Sequence, residues 1–260
     1  MNDAHPFDEN LIVVGTGLRS LGHLTTEAVA WIRRADHLLY VMTDPISEAI
    51  VTALNPSNES LSWMYSPEVP RVQTYEKMAD RVLELVRTGR RICFAAYGHP
   101  GVFAYPTHAA VHRARKEGFR ARMLPAVSAE DCLFADLGID PASSGCQSFE
   151  ATDFLISRRV FDPSSHLILW QIGVLGEPHG VIQGAKAKGL PRLMEALLKH
   201  YPEDHMVYLY EASLLPTVNP KIGGLPIGKL AESSFSTMST LYVPPFGSPN
   251  VDMELARELG

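Results

Sequence analysis

The chain has 260 residues, 46% hydrophobic, 20% charged and 8% aromatic, with a formal net charge of −6. This composition excludes disordered, collagenous and coiled-coil chains, and no apolar run approaches the roughly 18 residues of a membrane span. The negative balance argues against nucleic-acid binding, which wants a basic face. Met1–Asn10 carries three acids and no Lys or Arg, so it does not read as a secretory signal. Cys93, Cys132 and Cys146 are odd in number and widely spaced, as expected of reduced thiols in a cytoplasmic protein.

In chain order, Leu11–Val14 is a β-branched strand ending in Gly15-Thr16-Gly17. Thr25–Ala35 has helical spacing with Thr25 as N-cap. His37–Met42 is a second strand, and Asp44-Pro45 opens a helix to about Leu54. Arg71–Thr88 is the strongest helix, with Met78, Val82, Leu85 and Val86 as its stripe and Gly89 as its stop. Arg91–Ala96 is a strand, Tyr97–Pro106 a Gly/Pro-rich loop and Thr107–Lys116 a helix; Ala121–Pro125 is a strand and Ser128–Leu137 a helix. This alternation predicts an α/β lobe on a mostly parallel sheet. After Pro141 the texture changes to strands at Gln147–Ala151, His166–Gln171, Met206–Ala212 and Thr237–Val243, with one clear helix at Pro191–His200. The reading is an N-terminal lobe over 1–125, a second α/β lobe over 126–243 and a tail over 244–260 with a short helix at Met253–Leu259.

Several motifs fail. A dinucleotide fingerprint needs a third glycine where Ser20 stands, and a P-loop needs Lys where His23 stands. His108 and His112 are spaced as a zinc pair, but they lack the accompanying Glu and a third ligand, so two partly buried helix histidines and no metal are expected. The basic runs Arg33-Arg34, Arg90-Arg91 and Arg113–Lys116 lie at helix ends, where cations meet the negative end of the dipole.

Tyr97-Gly-His-Pro-Gly-Val-Phe103 follows a central strand, where α/β sheets bind ligands. With Val13-Val-Gly-Thr-Gly17 and Leu124-Pro-Ala-Val-Ser-Ala129 it resembles the tetrapyrrole methylase family. That likeness implies two α/β lobes with S-adenosylmethionine (SAM) in the cleft between them and S-adenosylhomocysteine as product. Porphyrin and cobalamin-precursor members carry Gly-Asp-Pro where this chain has Gly98-His99-Pro100. Arg71-x-x-x-Tyr75, the central loop, Ser128–Pro141 and Leu169-Trp-Gln171 together resemble the borosin branch, which methylates backbone amide nitrogens of a ribosomally made peptide. Fungal members carry that peptide at their own C-terminus, and split members act on a separate precursor. No Val/Ile/Gly-rich stretch follows Val243, so the resemblance implies a substrate supplied in trans. It also implies a homodimer, with Leu61–Thr88 covering the partner's site.

By resemblance, the SAM-contacting positions are Tyr97, His99, Val102, Ala129, Gln171, Ala212, Ser239 and Thr240. Arg71 and Tyr75 share a helix face, and a guanidinium beside a phenol favours the phenolate. Tyr75 is then the expected base for the amide N–H, directly or through water, and Tyr65 a donor to the substrate carbonyl. The alternative within the same fold is a small-molecule methyltransferase on a porphyrin- or corrin-like substrate.

Overall fold

The computed structural model describes residues 9–176, 189–233 and 236–260. Most of the N-terminal segment read above as lacking a signal therefore lies outside the described residues. The chain divides into two units, 9–136 with 212–219, and 137–211 with 220–260. The sequence reading puts the boundary at 125/126; in the structure the helix over 129–137 packs almost wholly with the first unit.

In the first unit, β1 (Leu11–Gly15), β2 (His37–Val41), β3 (Asn58–Ser60), β4 (Ile92–Ala96) and β5 (Ala121–Met123) form a parallel sheet in the order β3-β2-β4-β1-β5. The helices are α1 (Ser20–His23), α2 (Thr26–Arg34), α3 (Pro45–Leu54), α4 (Arg71–Val86), α5 (Tyr105–Lys116) and α6 (Ala129–Leu137). Strand residues alternate between two cores, as the period of two requires. Leu11, Val13, Leu39 and Phe94 pack with Met78, Val82 and Val86 of α4 and with Ala110 and Val111 of α5. Ile12, Val14, Leu38 and Ala95 pack with Trp31 and Ile32 of α2 and with Val51 of α3. Both faces are covered, which explains the near-continuous apolar strands. Each fully buried aliphatic side chain contributes roughly 1.5–3 kcal/mol.

The caps follow the sequence. Thr25 Oγ1 accepts from Ala28 N at 3.1 Å and Asp44 Oδ1 from Ser47 N at 2.9 Å. Ser128 and Asp131 form a reciprocal box at the start of α6: Ser128 Oγ accepts from Asp131 N at 3.1 Å, and Asp131 Oδ2 from Ser128 N at 2.7 Å.

The second unit holds α7 (Pro141–Ser144), β6 (Cys146–Glu150), α8 (Ala151–Ile156), β7 (His166–Trp170), α9 (Leu190–Leu197), β8 (Met206–Glu211), β9 (Lys221–Pro226), β10 (Thr240–Val243) and α10 (Met253–Leu259). Its sheet runs β6-β7-β10-β8-β9, parallel at β6/β7 and antiparallel elsewhere. Leu167, Leu169, Val207, Leu241 and Val243 bury one face against Phe154 of α8 and Leu190, Leu193 and Leu197 of α9. The tail is tethered where Phe246 N donates to Pro163 O at 2.8 Å and its ring lies against Tyr201 and His205. No helix among the described residues is long and apolar enough to cross a membrane.

The carboxyl ends of β1 and β4 meet closely. A Cβ on Gly15 would lie 2.3 Å from Gly98 O and 2.5 Å from Ala126 Cβ. Gly15→Ala should therefore lower unfolding free energy by about 1–3 kcal/mol through overpacking. Gly223→Ala, whose Cβ meets nothing within 4 Å, should change it by no more than about 0.5 kcal/mol. Urea midpoints of the two variants check this; equal effects would contradict it.

Candidate active site

The site is built on neighbouring parallel strands. β1 and β4 are paired along their length, and their crossovers leave toward opposite sides of the sheet, to β2 and β5. Ligands bind α/β sheets outside strand ends of this kind. Beyond the strands, Gly17 N donates to Gly98 O at 3.2 Å and Gly98 N to Gly17 O at 2.9 Å. Both glycines have positive φ, 68° and 66°, which a side chain would strain. The two loops are thereby fixed to one another.

The central loop is pinned from α5. Thr107 Oγ1 donates to Pro100 O, and His108 Nε2 donates to Gly101 O at 3.0 Å. His108 and His112 are both exposed rather than partly buried, and among the described residues no cluster of three metal-ligating side chains includes them. Within the loop, His99 Nδ1 accepts from Gly101 N at 2.9 Å. In the neutral ring the proton then sits on Nε2, leaving His99 a donor at its outer nitrogen. Phe103 holds φ 50°, an unusual value for an aromatic residue. Val102 and Ala129 are half-buried.

Beside this loop stands an aromatic cluster. Tyr65 meets Tyr75 edge-on with ring centroids 6.3 Å apart, and Tyr75 stacks on Tyr105 at 6.3 Å. Tyr65 and Tyr75 also share a hydrogen bond, and the charge of Arg71 acts on the hydroxyls of both Tyr65 and Tyr97. The structure thus brings Arg71, Tyr65, Tyr75 and Tyr97 together. Arg71 opens α4, where a cation opposes the helix dipole and no side chain caps the helix. A local rule broken in this way is the mark of a functional position.

The Tyr65 hydroxyl is sheltered although the residue's ring remains partly in solvent. Burial, then the neighbouring phenols of Tyr75 and Tyr97, push it well above the ordinary tyrosine range, against the opposing pull of Arg71. Tyr97 is raised in the same way, by burial first and then by Tyr75. Both groups therefore keep their protons and can donate.

Tyr105 was not found from sequence. Its hydroxyl donates to Glu76, which also takes Arg113, while Arg113 Nη1 reaches Asp80 Oδ1 at 2.8 Å. Arg113 is thus more than a solvated helix-end cation: it ties α5 to α4 and holds the ring that backs Tyr75.

Three of the expected positions, Gln171, Ser239 and Thr240, belong to the second unit, and Ala212 opens the short segment that packs with the first. Gln171 has left-handed backbone, φ 60° and ψ 30°, immediately after β7. The Gly173 that follows abuts the Ser236 carbonyl, since a Cβ there would lie 1.8 Å from Ser236 O. Ser239 and Thr240 are buried, and Ser239 Oγ donates to Glu211 Oε1 at 2.6 Å. Glu211, a second residue missed from sequence, carries no motif signal beyond its place at the end of β8.

An open α/β sheet with paired glycine loops at its strand ends, joined to a mixed-sheet unit, defines the class as a two-lobed α/β enzyme fold. The chain matches the family model for tetrapyrrole (corrin/porphyrin) methylases over residues 10–216, and it belongs to that family. Among solved structures it is similar to a uroporphyrin-III C-methyltransferase from Thermus thermophilus (TM-score 0.63, 19% identity, 90% of this chain and 91% of that one). It is also similar to a cobalt precorrin-4 methyltransferase of cobalamin biosynthesis (TM-score 0.63, 14% identity, 92% and 96%). A further Thermus thermophilus uroporphyrin-III C-methyltransferase structure, complexed with S-adenyl homocysteine, gives TM-score 0.61 at 15% identity over 90% and 91%.

The curated relatives are described as methyltransferases joined to ribosomally synthesized peptide precursors. A type I borosin cyclic peptide precursor from Coprinopsis marcescibilis is 42% identical over 98% of this chain and 66% of its own length. The dendrothelin A precursor of Dendrothele bispora is 40% identical over 96% and 61%. The omphalotin A precursor of Omphalotus olearius is 37% identical over 96% and 61%. The chain spans about three fifths to two thirds of these relatives' length.

The raised Tyr65 gives a pH test. In the unfolded chain this phenol ionises near pH 10, before it does in the folded one, so stability is full below about pH 10 and is lost as pH rises beyond it. Between about pH 9.5 and 11 the urea midpoint of the wild type should fall more steeply than that of Tyr65→Phe. Parallel curves would contradict a sheltered hydroxyl.

Proposed function

We propose that the protein is a SAM-dependent methyltransferase that N-methylates backbone amides of a ribosomally made precursor peptide supplied in trans. The observation that carries this reading is the cluster of Arg71, Tyr65, Tyr75 and Tyr97 beside the paired glycine loops. The likeness to the borosin precursors above supports the peptide as substrate.

The described residues fit the methyl donor on two counts. Gly15 and Gly17 let the loops close on Gly98 O, Pro100, Ala126 and His23 of the chain itself, which fixes the loop backbone, and His99 presents a donor nitrogen on the same loop. By resemblance, the donor-contacting positions would be Tyr97, His99, Val102, Ala129 and Ala212 in the first unit and Gln171, Ser239 and Thr240 in the second. When bound, SAM supplies an electrophilic methyl group on a sulfonium.

The chain's own residues do the rest. An amide nitrogen is a weak nucleophile because its lone pair is delocalised into the carbonyl. Tyr65, which keeps its proton, donates to the substrate carbonyl oxygen and stabilises the imidate-like charge that develops there. Tyr75, acting as the phenolate, takes the amide N–H proton, directly or through a water, and becomes a neutral phenol; Arg71 offsets the charge that the phenolate carries before the transfer. Tyr105 and the Glu76–Arg113 pair hold the Tyr75 ring in place, so that positioning contributes to the rate.

The reading also includes a homodimer in which the segment 61–88 covers the partner's site. Trp63, 71% exposed, and Val72, 62% exposed, lie on that segment as apolar surface needing cover. A cytoplasmic location is in keeping with Cys93, Cys132 and Cys146, none of which forms a disulfide. Light scattering at micromolar concentration should give a dimer mass; a monomer would contradict the arrangement.

Incubation with SAM and a borosin-type precursor peptide, followed by fragmentation mass spectrometry, should place methyl increments on backbone nitrogens. An unmodified peptide alongside confirmed SAM binding would favour the small-molecule reading instead. Tyr75→Phe and Arg71→Lys should retain SAM binding but lose at least about tenfold in turnover, lysine lacking the planar fork. Wild-type turnover in Tyr75→Phe would remove that residue from the mechanism.

A further inference from the structure

The second unit's contribution is organised around Glu211, a residue that neither motif nor family likeness picks out. The hydroxyls of Ser236 and Ser239 both donate to its Oε1, and Lys221 Nζ approaches Oε2 at 3.1 Å. The two serines also close the turn between them: Ser236 N donates to Ser239 Oγ at 3.0 Å and Met238 N to Ser236 Oγ at 3.1 Å. That turn is seated against the 3-10 turn Ile172–Val174, where Gly173 alone leaves room for the Ser236 carbonyl. One carboxylate therefore fixes the segment that leads into Thr240, and Gly173 seats that segment two residues beyond the left-handed backbone at Gln171.

The hydrogen bonds also settle what Ser239 can offer. A hydroxyl has one proton and two acceptor positions. The Ser239 proton is committed to Glu211 and one acceptor position to Ser236 N, which leaves one acceptor position. Burial opposes ionisation of Glu211, but the hydrogen bonds from Ser236 and Ser239 and the ion pair with Lys221 outweigh it and hold the carboxyl below the usual range. The group is ionised at neutral pH.

We infer that Glu211 is a positioning residue for methyl-donor binding: it locks the 236–239 turn and leaves Ser239 as an acceptor for an N–H or O–H group of the donor. This rests on the methyl-donor reading given above. Removing the carboxylate frees both hydroxyls and the turn, at a cost felt in donor affinity rather than in transfer. Lys221, whose side chain is 82% exposed, adds little, because an exposed ion pair is weak.

Calorimetric titration with S-adenosylhomocysteine and steady-state kinetics with SAM test this on the full chain. Glu211→Ala should weaken product binding and raise KM for SAM by about tenfold or more, with kcat within about twofold of wild type. Glu211→Gln keeps a carbonyl oxygen for both serine hydroxyls and should recover to within about threefold of wild type. Lys221→Met should bind as wild type does. Ser239→Ala should match Glu211→Ala, and it carries the test with the Gln variant if melting shows that Glu211→Ala does not fold. Wild-type affinity in Glu211→Ala or Ser239→Ala, a loss in kcat at unchanged KM, or no recovery in Glu211→Gln would overturn the assignment. A wild-type chain that binds neither SAM nor its product would instead overturn the methyl-donor reading, and this assignment with it.

Discussion

The structure of the first unit depends on one backbone contact, the reciprocal hydrogen bonds between Gly17 and Gly98 beyond the ends of β1 and β4. Each glycine has a positive φ, and Gly15 just before them leaves no space for a Cβ. With the two loops fixed to one another, Thr107 and His108 can pin the second loop from below, and His99 is left with a single orientation of its ring. The sheet order makes this contact available, because it places the first and fourth strands side by side and sends their crossovers apart.

Within each unit the protein breaks ordinary rules of local stability. Arg71 stands at the positive end of α4, and Gln171 and Phe103 hold left-handed backbone that costs of order 1–3 kcal/mol each. Sheltered phenols crowd one another at Tyr65, Tyr75 and Tyr97. Each departure is held in place by neighbours: Tyr105 and the Glu76–Arg113 pair behind Tyr75, and Gly173 with the Ser236 turn behind Gln171. Strain supported in this way suits a site that must present groups in fixed directions.

Much of the fold was legible in the sequence because its elements obey a clean period. The helix Pro45–Leu54 and the tail helix Met253–Leu259 have the expected bounds, and α4 and β1 differ only at their ends. The elements not foreseen are those whose local chemistry hides them. β9 contains Gly223-Gly224, which weakens a strand pattern, yet it pairs with β8 through six residues. β3 is three polar residues held by its neighbour's ladder, and α8 begins inside what reads as the end of a strand. For the site, Arg71 and Tyr75 announce a shared face through their spacing alone, and the structure adds Tyr65 and Tyr97 to it. The proposed donor-contact positions rest on resemblance alone, since residues such as Ala129 and Thr240 look like ordinary packing. Glu211 and Tyr105 had no signal at all, because their roles consist of contacts with residues far away in sequence.

The central proposal is that the chain binds a methyl donor, with the paired glycine loops of the first unit among its contacts. Amide hydrogen exchange with and without S-adenosylhomocysteine tests it most directly. The account predicts slowed exchange at 97–103 and at 236–240 on adding the ligand. Unchanged exchange there, or protection confined to the separate cavity lined by Asp140, His166, Tyr208 and Tyr242, would contradict it.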